Sequence, residues 1–473
     1  MKQIDCDICV IGAGSGGLSV AAAASQFGEN VVLIERGEMG GDCLNYGCVP
    51  SKALLAAGKH AHAFGSGEAF GIAAKVPEVD FGKVHDHVHS VIGAIAPHDS
   101  QERFEGLGVT VIRETGRFVD AETVEAGETR IKARRFVIAT GSSPATPPIP
   151  GLDKVDYFTN ETLFDNKTLP THLIVIGGGP IGMEMAQAHR RLGAKVTVLE
   201  AFQPLGKDDP ELTSIVLDHL RGEGIDIRAG VKITDISQSA KGITIAVDDD
   251  GKAESIAGSH LLVAAGRKPN TDGLNLDAAG IGHDKRGIKV DDSLRTSNRK
   301  VYAIGDVAGG LQFTHVAGYQ AGLVVRAILF RMPVKNDTRC IPWVTYTDPE
   351  LAHIGLTEAQ ATEQGKDHKV LRWSFKDNDR AQAERRTSGL IKAVVSAKGD
   401  ILGCSIVAPN AGELIQPWAL AMSSKLKVKA MIDMVAAYPT MTEVSKRAAT
   451  SYYSELPSKP WIRKVIGVLK RFG

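Results

Sequence analysis

One stretch of this chain occurs twice. VIGAGSGGLSVAAAASQFGENVVLIER, starting at Val10, aligns without a gap on VIGGGPIGMEMAQAHRRLGAKVTVLEA, starting at Val175, 165 residues further on. In each copy an apolar strand runs into G-x-G-x-x-G, continues as a helical pattern closed by Gly28 or Gly193, and ends in a second apolar strand finished by an acid. That is a β-α-β unit twice over, the signature of parallel sheet covered by helices. Gly12, Gly14 and Gly17 form the first fingerprint, and Gly177, Gly179 and Gly182 the second. The first glycine of each permits the turn, the second lets backbone approach a pyrophosphate, and the third lets helix pack on strand. Glu35 and Glu200 each lie 23 residues past the first glycine, where an acid can bind an adenosine ribose 2′-hydroxyl. Two bound dinucleotides are predicted. Around the second acid, LEAFQPLG holds no Arg to neutralise a 2′-phosphate, which favours NAD(H) over NADP(H) there.

A weaker echo extends the pattern. FVIATGSSP, from Phe136, and LLVAAGRKPN, from Leu261, each read as a buried strand, a Gly turn and a proline, and each is expected to close its own nucleotide domain. The Pro-rich stretch Pro144 to Pro150 reads as a linker between them. VYAIGDVAGG, from Val301, adds another strand and turn, and from about Cys340 the pattern changes to strands such as IPWVTYT and LIKAVVSA followed by helical segments. The predicted fold class is α/β: two Rossmann-like dinucleotide-binding domains plus a C-terminal α+β domain. The expected division is 1–150 with 271–340, then 151–270, then 341–456, with a tail at 457–473. A length of 473 residues accommodates this.

Composition excludes more than it identifies. Lys and Arg number 55 against 55 Asp and Glu, so the chain lacks the basic excess of a nucleic-acid binder. Six cysteines are too few for a secreted disulfide framework in a chain this long, and no apolar run reaches the ~18 residues of a membrane span. MKQIDCDICVIGAGSGG enters a strand at once, leaving no room for a cleavable leader. A cytoplasmic protein is expected.

GGDCLNYGCVPSKALL places Cys43 and Cys48 five apart, with Lys52 one turn beyond Cys48 at the opening of a helical segment. Helix N-termini lower thiol pKa and favour the thiolate, so this pair is predicted to be redox-active. Two competing readings are a metal site, which would want further Cys or His at ligand spacing, and two inert thiols. No metal site is predicted. Cys6 and Cys9 fall inside the first strand and are expected in the core, as are Cys340 and Cys404.

With these residues in view the chain resembles the flavin-dependent pyridine nucleotide-disulfide oxidoreductases, especially the dihydrolipoamide dehydrogenase and mercuric reductase branch. The resemblance covers nearly the whole chain and rests on both fingerprints, GGDCLNYGCVPSK, ATG at Ala139 to Gly141, GGGPIGMEM, AAGRKPN, YAIGDVAGG, YTDPE and VAPNAGELI. It implies FAD on the first unit, with Thr140, Gly141 and Asp306 at the cofactor and His315 in a segment beside it. It implies NAD(H) on the second, with Gly266 in its closing turn. It further implies a Cys43–Cys48 disulfide, Cys48 as the thiolate against the flavin, Cys43 exchanging with the acceptor, and Lys52 near the flavin paired with Glu184. The third domain would then form a homodimer in which each active site borrows the partner's C-terminal segment.

Two features depart from that pattern. Thiol-substrate members carry His-Pro-Thr near the C-terminus, with a Glu five residues after the His. Here AAYPTMTEVSK keeps Pro439, Thr440 and Glu443 but has Tyr438 at the His position. A phenol with pKa near 10 cannot serve as the general base that imidazole provides, so dithiol turnover should fall by roughly 10²- to 10⁴-fold. Tyr438 reads either as a donor and wall for a quinone or metal ion, or as interface packing. The second departure is PSKPWIRKVIGVLKRFG. Trp461, Ile462, Val465, Ile466, Leu469 and Phe472 share one helical face, with Arg463, Lys464, Lys470 and Arg471 opposite. Peripheral membrane contact competes here with packing on the dimer or disorder, because Gly467 weakens a short helix. His85, His87, His89 and His98 read as a solvated helix rather than a metal cluster, only 85 and 89 sharing a face.

The leading expectation is an NAD(H)-dependent, FAD-containing disulfide oxidoreductase of the dihydrolipoamide dehydrogenase type. The alternative is an NADH-dependent quinone or metal-ion reductase using the same disulfide relay. A nucleotide-sensing flavoprotein without turnover is a weaker third, since it would not need Cys43, Cys48, Lys52 and Glu184 together. Two features argue against mercury detoxification as such: no metal-capturing segment precedes the first strand, and VLKRFG ends without vicinal cysteines.

Overall fold

Apolar runs bounded by glycine turns become the parallel strands of two sheets in the computed structural model, which describes residues 1–472. The chain divides into two units, one of residues 1–202 and 224–337, the other of residues 203–223 and 338–473. The first unit opens with β1 (Lys2–Ile11), α1 (Ser15–Gln26) and β2 (Val31–Ile34). Ile8 to Ile11 and all of β2 are buried, as strands covered on both faces must be. The thiol segment follows as α2 (Gly41–Asn45) and α3 (Cys48–Gly65), with the histidine-rich α4 (Phe81–Ile95) beyond.

The first sheet has the order β3-β2-β1-β6-β5-β4, with β3 (Thr110–Ile112), β4 (Gly116–Phe118), β5 (Thr123–Ala126) and β6 (Thr129–Ile138). β6 pairs parallel with β1 along one edge and serves two partners along the other: its first half pairs antiparallel with β5, and Phe136 to Ile138 pair parallel with the strand Val301–Ala303. That pairing returns residues from beyond 300 to the first sheet and places Asp306 just past a buried strand end. After β7 (Ser142–Pro144) the second repeat runs through β8 (His172–Ile176) and β9 (Lys195–Glu200). Its parallel sheet has the order β10-β9-β8-β14, where β10 is Asp226–Ala229 and β14 is His260–Val263. Between these last two strands, β11 (Lys232–Ser239), β12 (Gly242–Asp249) and β13 (Lys252–Gly258) form an antiparallel sheet.

The second unit holds an antiparallel sheet of Trp343–Thr345, Glu350–Gly355, Ile401–Ala408, Leu390–Ser396 and His368–Ser374, in that order. Trp418, Phe375, Ile391, Ile406 and Val444 form its core, and the buried Trp418 indole donates to Ser445 Oγ at 3.0 Å. The expected α/β class with two nucleotide sheets and a third α+β body is what the structure has. Residues 203–223, inside the stretch 151–270, group with residues 338–473. Ion pairs join the two stretches: Lys392, only 5% exposed, meets Asp209 at 2.8 Å and Glu211 at 2.9 Å, as well as Glu358 at 2.7 Å. A buried ammonium needs such partners.

Other expectations meet local facts. Cys9 and Cys404 are buried, whereas Cys6 and Cys340 are only half-buried. The His85 and His89 rings lie 4.1 Å apart on α4, and among the described residues no group of three or more His, Cys, Asp or Glu is placed to hold a metal ion. The tail folds as the helix Pro460–Leu469, which runs through Gly467. No helix among the described residues is long and apolar enough to cross a membrane.

Candidate active site

Both fingerprints build the same cradle. Gly12 and Gly177 adopt φ of +106° and +111°, a region L side chains rarely reach. A Cβ on Gly17 would stand 1.8 Å from the Gly12 carbonyl oxygen, and one on Gly182 1.9 Å from that of Gly177, so the helix can start against the strand only with glycine there. Gly14 and Gly179 face open space and cap α1 and the helix α6 (Pro180–Arg191); neither helix has a side-chain cap. Their first N–H groups are therefore left for an anion, the arrangement that binds a pyrophosphate. Glu35 accepts from Ala13 N and Gly37 N, both at 2.6 Å, and Glu200 from Gly178 N at 2.6 Å and Phe202 N at 2.8 Å. Each acid thus lies beside its glycine turn, where a ribose bound above the phosphates would meet it. Both cradles fit a dinucleotide.

The first cradle is extended by residues far away in sequence. Asp306 accepts from Ser142 Oγ at 2.5 Å, and Arg267 donates to the same hydroxyl at 2.7 Å and to the Ser142 carbonyl at 2.8 Å. Arg267 also reaches Asp42 at 3.1 Å, tying the closing turn of the second sheet to the thiol segment of the first. Burial pushes the Asp306 carboxyl up, against the pull of the Ser142 hydroxyl and Arg267. Thr140 Oγ1 donates to Asn270 O at 2.7 Å, and Asn270 returns bonds to the carbonyls of Thr140 and Gly141 at 3.0 Å. Gly141 and Gly266 take φ of +68° and +129° in these turns. His315, exposed on the helix Thr314–Leu329, stacks on Phe313 with ring centres 5.4 Å apart.

The thiols adjoin this cradle. Gly40 N donates to Ala13 O at 3.0 Å, and a Cβ on Gly41 would stand 2.8 Å from Gly14 Cα, so α2 sits directly on the first phosphate turn. Cys43 and Cys48 share a hydrogen bond. The Cys43 proton in that bond lowers the Cys48 thiol to about 6, with Thr314 Oγ1 at 3.4 Å and the nearby Lys52 ammonium assisting and partial desolvation opposing. The same bond, burial and the facing thiolate push the Cys43 thiol up, with Ser15 and Thr314 opposing. Cys48 is the first residue of α3, where the helix dipole also favours an anion. One turn on, Lys52 Nζ meets Glu184 Oε2 of α6 at 2.7 Å, with the Glu184 side chain only 5% exposed.

Tyr438 and Glu443 belong to the second unit. The Tyr438 side chain is 71% exposed and its hydroxyl donates to Asp379 Oδ2 at 3.0 Å. That bond and the Asp379 charge push the phenol pKa up, with Glu443 adding a little. Glu443 opens the helix Glu443–Thr450. Sequence reading missed Asp42, Ser142, Arg267, Thr314 and Asp379. Arg267 stands inside the motif AAGRKPN and Asp42 beside Cys43, so both were visible as charges flanking glycine turns; nothing local links Thr314 to a cysteine 266 residues away.

Two dinucleotide cradles with a polarised dithiol against the first define a flavoprotein-type dithiol oxidoreductase. The chain belongs to the pyridine nucleotide-disulphide oxidoreductase family, matching it over residues 6–321, and its dimerisation domain over residues 341–449. Members bind FAD and NAD(P)H, and the second match supports a homodimer. The chain is 38% identical to a mercuric reductase of Lysinibacillus sphaericus over 453 residues, covering 95% of this chain and 83% of that one. It is 34% identical to a dihydrolipoyl dehydrogenase of Geobacillus stearothermophilus, covering 94% and 96%. A Cu(II) complex of the HOCl-induced flavoprotein disulfide reductase RclA from Escherichia coli superposes with a TM-score of 0.85 at 27% identity, covering 94% of this chain and 99% of that one. This protein is a flavoprotein disulfide oxidoreductase of the type these three share.

Proposed function

We propose that the protein is a cytoplasmic, NADH-oxidising reductase whose Cys43–Cys48 pair delivers electrons to a thiophilic metal ion such as Hg(II) or Cu(II). The observation that carries this reading is Tyr438. A phenol held protonated by Asp379 donates a hydrogen bond but does not take up the thiol proton that dithiol-disulfide exchange must pass on. A metal ion needs no such base: it binds thiolate directly. The relatives named mercuric reductase and the Cu(II)-bound neighbour support the same acceptor class.

In this reading Gly12, Gly14, Gly17, Glu35, Thr140, Gly141 and Asp306 hold FAD, with His315 beside it, and Gly177, Gly179, Gly182, Glu200 and Gly266 hold NAD(H). Bound FAD supplies a two-electron relay between nicotinamide and dithiol. Cys48 keeps the thiolate, stabilised by Cys43, Thr314 and Lys52, and Cys43 meets the acceptor. Glu184 pairs with Lys52 and holds it in place. The balance is NADH plus Hg(II) giving NAD⁺, H⁺ and Hg(0), or NADH plus two Cu(II) giving NAD⁺, H⁺ and two Cu(I).

Steady-state NADH oxidation with lipoamide, glutathione disulfide, a quinone, Hg(II) and Cu(II) tests this. Metal ions should be the fastest acceptors, and Tyr438→His should raise lipoamide turnover by ~10²-fold or more, the range of general acid-base catalysis. Lipoamide as the fastest acceptor of the unaltered protein would overturn the reading in favour of a dihydrolipoamide dehydrogenase.

A further inference from the structure

The helix Pro460–Leu469 has no buried residue. Trp461 is 61% exposed, Leu469 60% and Phe472 83%, so their own chain leaves most of each in solvent. At 100° per residue, Trp461, Ile462, Val465, Ile466, Val468 and Leu469 fall within one side of the helix, and Arg463, Lys464 and Lys470 with Gly467 fall on the other. The helix is also anchored at its start: Pro460 stands in its first turn, and Arg463 Nε donates to Pro457 O at 2.8 Å. A contiguous apolar face of this kind marks an interaction surface rather than a solvated one.

Charge selects the occupant. Residues 457–473 carry Lys459, Arg463, Lys464, Lys470 and Arg471 and no acid, in a chain whose net charge is zero. A second copy of this helix would bring cations against cations. An anionic lipid surface instead satisfies both sides at once, its acyl boundary taking the apolar face and its headgroups the flanking cations. Ten residues span about 15 Å, half a bilayer core, so the helix lies in the interface plane rather than across it.

We propose that this tail docks the protein on anionic membrane, lying flat with Trp461 and Leu469 inserted and Arg463, Lys464, Lys470 and Arg471 at the headgroups. One short helix binds weakly, and a homodimer carries two, so attachment depends on both copies engaging the same surface. Docking of the tail does not depend on which acceptor the dithiol reduces.

Co-sedimentation of the FAD-loaded full-length protein with vesicles decides it. Binding to phosphatidylcholine mixed with phosphatidylglycerol should exceed binding to phosphatidylcholine alone by about tenfold or more, and added salt should weaken it. Reversing the cations together (R463E, K464E, K470E and R471E), or removing residues 457–473, should bring binding down to the neutral-vesicle level. NADH oxidation without vesicles should stay unchanged in both variants. Equal partitioning of the full-length and shortened chains, or equal binding to neutral and anionic vesicles, overturns the proposal. So does a shortened chain that sediments as a monomer, which would assign the helix to subunit association.

Discussion

The two β-α-β units match down to the φ of their first glycines, yet they serve the thiols differently. In the first, the residue after the capping glycine is Ser15, whose hydroxyl bonds the Cys43 thiol. In the second that residue is Pro180, which offers no donor, and the contribution comes one turn later, where Glu184 reaches Lys52. The phosphate turn recurs because only glycine fits its first and third fingerprint positions. The helix beyond the turn is free to diverge, and there one unit touches the redox pair directly while the other touches it through an ion pair. The two copies therefore share the glycine cradle, and the first two helical turns set them apart.

The strongest way to break this comparison is to place the same clash in each unit. Gly17→Val and Gly182→Val put a side chain into nearly the same carbonyl contact, an overpacking that costs about 3 kcal/mol or more locally. Gly17→Val should purify without flavin. Gly182→Val should keep flavin but lose reduction by NADH at micromolar concentrations. Flavin absorbance per chain and stopped-flow reduction separate the outcomes, and equal flavin loss in both variants would mean that the units do not divide the cofactors.

A smaller effect is expected from the ion pair through which the second unit acts. Glu184→Gln keeps the shape of the side chain and removes its charge. Breaking a buried pair costs up to about 3–5 kcal/mol, but Lys52 is 37% exposed and partly screened by water, so a loss of about 1–2 kcal/mol is expected. Reduction by NADH should slow by roughly tenfold, since one pKa unit or 1.4 kcal/mol in the positioning of Lys52 corresponds to that factor. An unchanged rate with an unchanged melting temperature would reduce the pair to a surface contact.

What could be read from sequence was whatever is local. The glycine turns, the acids at the strand ends and the Cys43–Cys48–Lys52 spacing all lie within a few residues of one another, and chain geometry alone constrains them. Glu184 was reachable only through the family resemblance. Thr314 and Arg267 were not reachable as partners of the thiol segment, because tertiary pairing brings them there: Thr314 follows the strand Val301–Ala303 back to β6, and Arg267 follows β14. The helix Pro210–Gly222 shows the same limit. Its apolar stripe fits any sheet, and the ion pairs of Lys392 and Arg372 with Asp209 and Glu211, which join it to residues 338–473, lie between residues far apart in sequence. The tail reads as an amphipathic helix weakened by Gly467, and the helix Pro460–Leu469 runs through that glycine.

Thr314, on the helix that follows the returning strand Val301–Ala303, supplies the finest test of what lowers the Cys48 thiol. Its hydroxyl is the second of the groups that lower the Cys48 thiol, after the Cys43 bond and ahead of Lys52. A neutral hydrogen bond contributes roughly 0.5–1.5 kcal/mol, so Thr314→Val should raise that pKa by up to about one unit. The direction sets the pH window. With a value about 6 the thiol is mostly anionic at neutral pH, and reactivity falls only as pH drops through 6. Raised toward about 7, the same fall begins near neutrality, and alkylation of the reduced enzyme by iodoacetamide at pH 7 should slow by about twofold. Thr314→Ser restores the donor and should restore the profile, which a purely structural role for the methyl group would not. A pH profile indifferent to both substitutions would leave Cys43 and the helix N-terminus as the whole source of the anion, and would separate the first unit's contribution at Ser15 from anything brought by the returning strand.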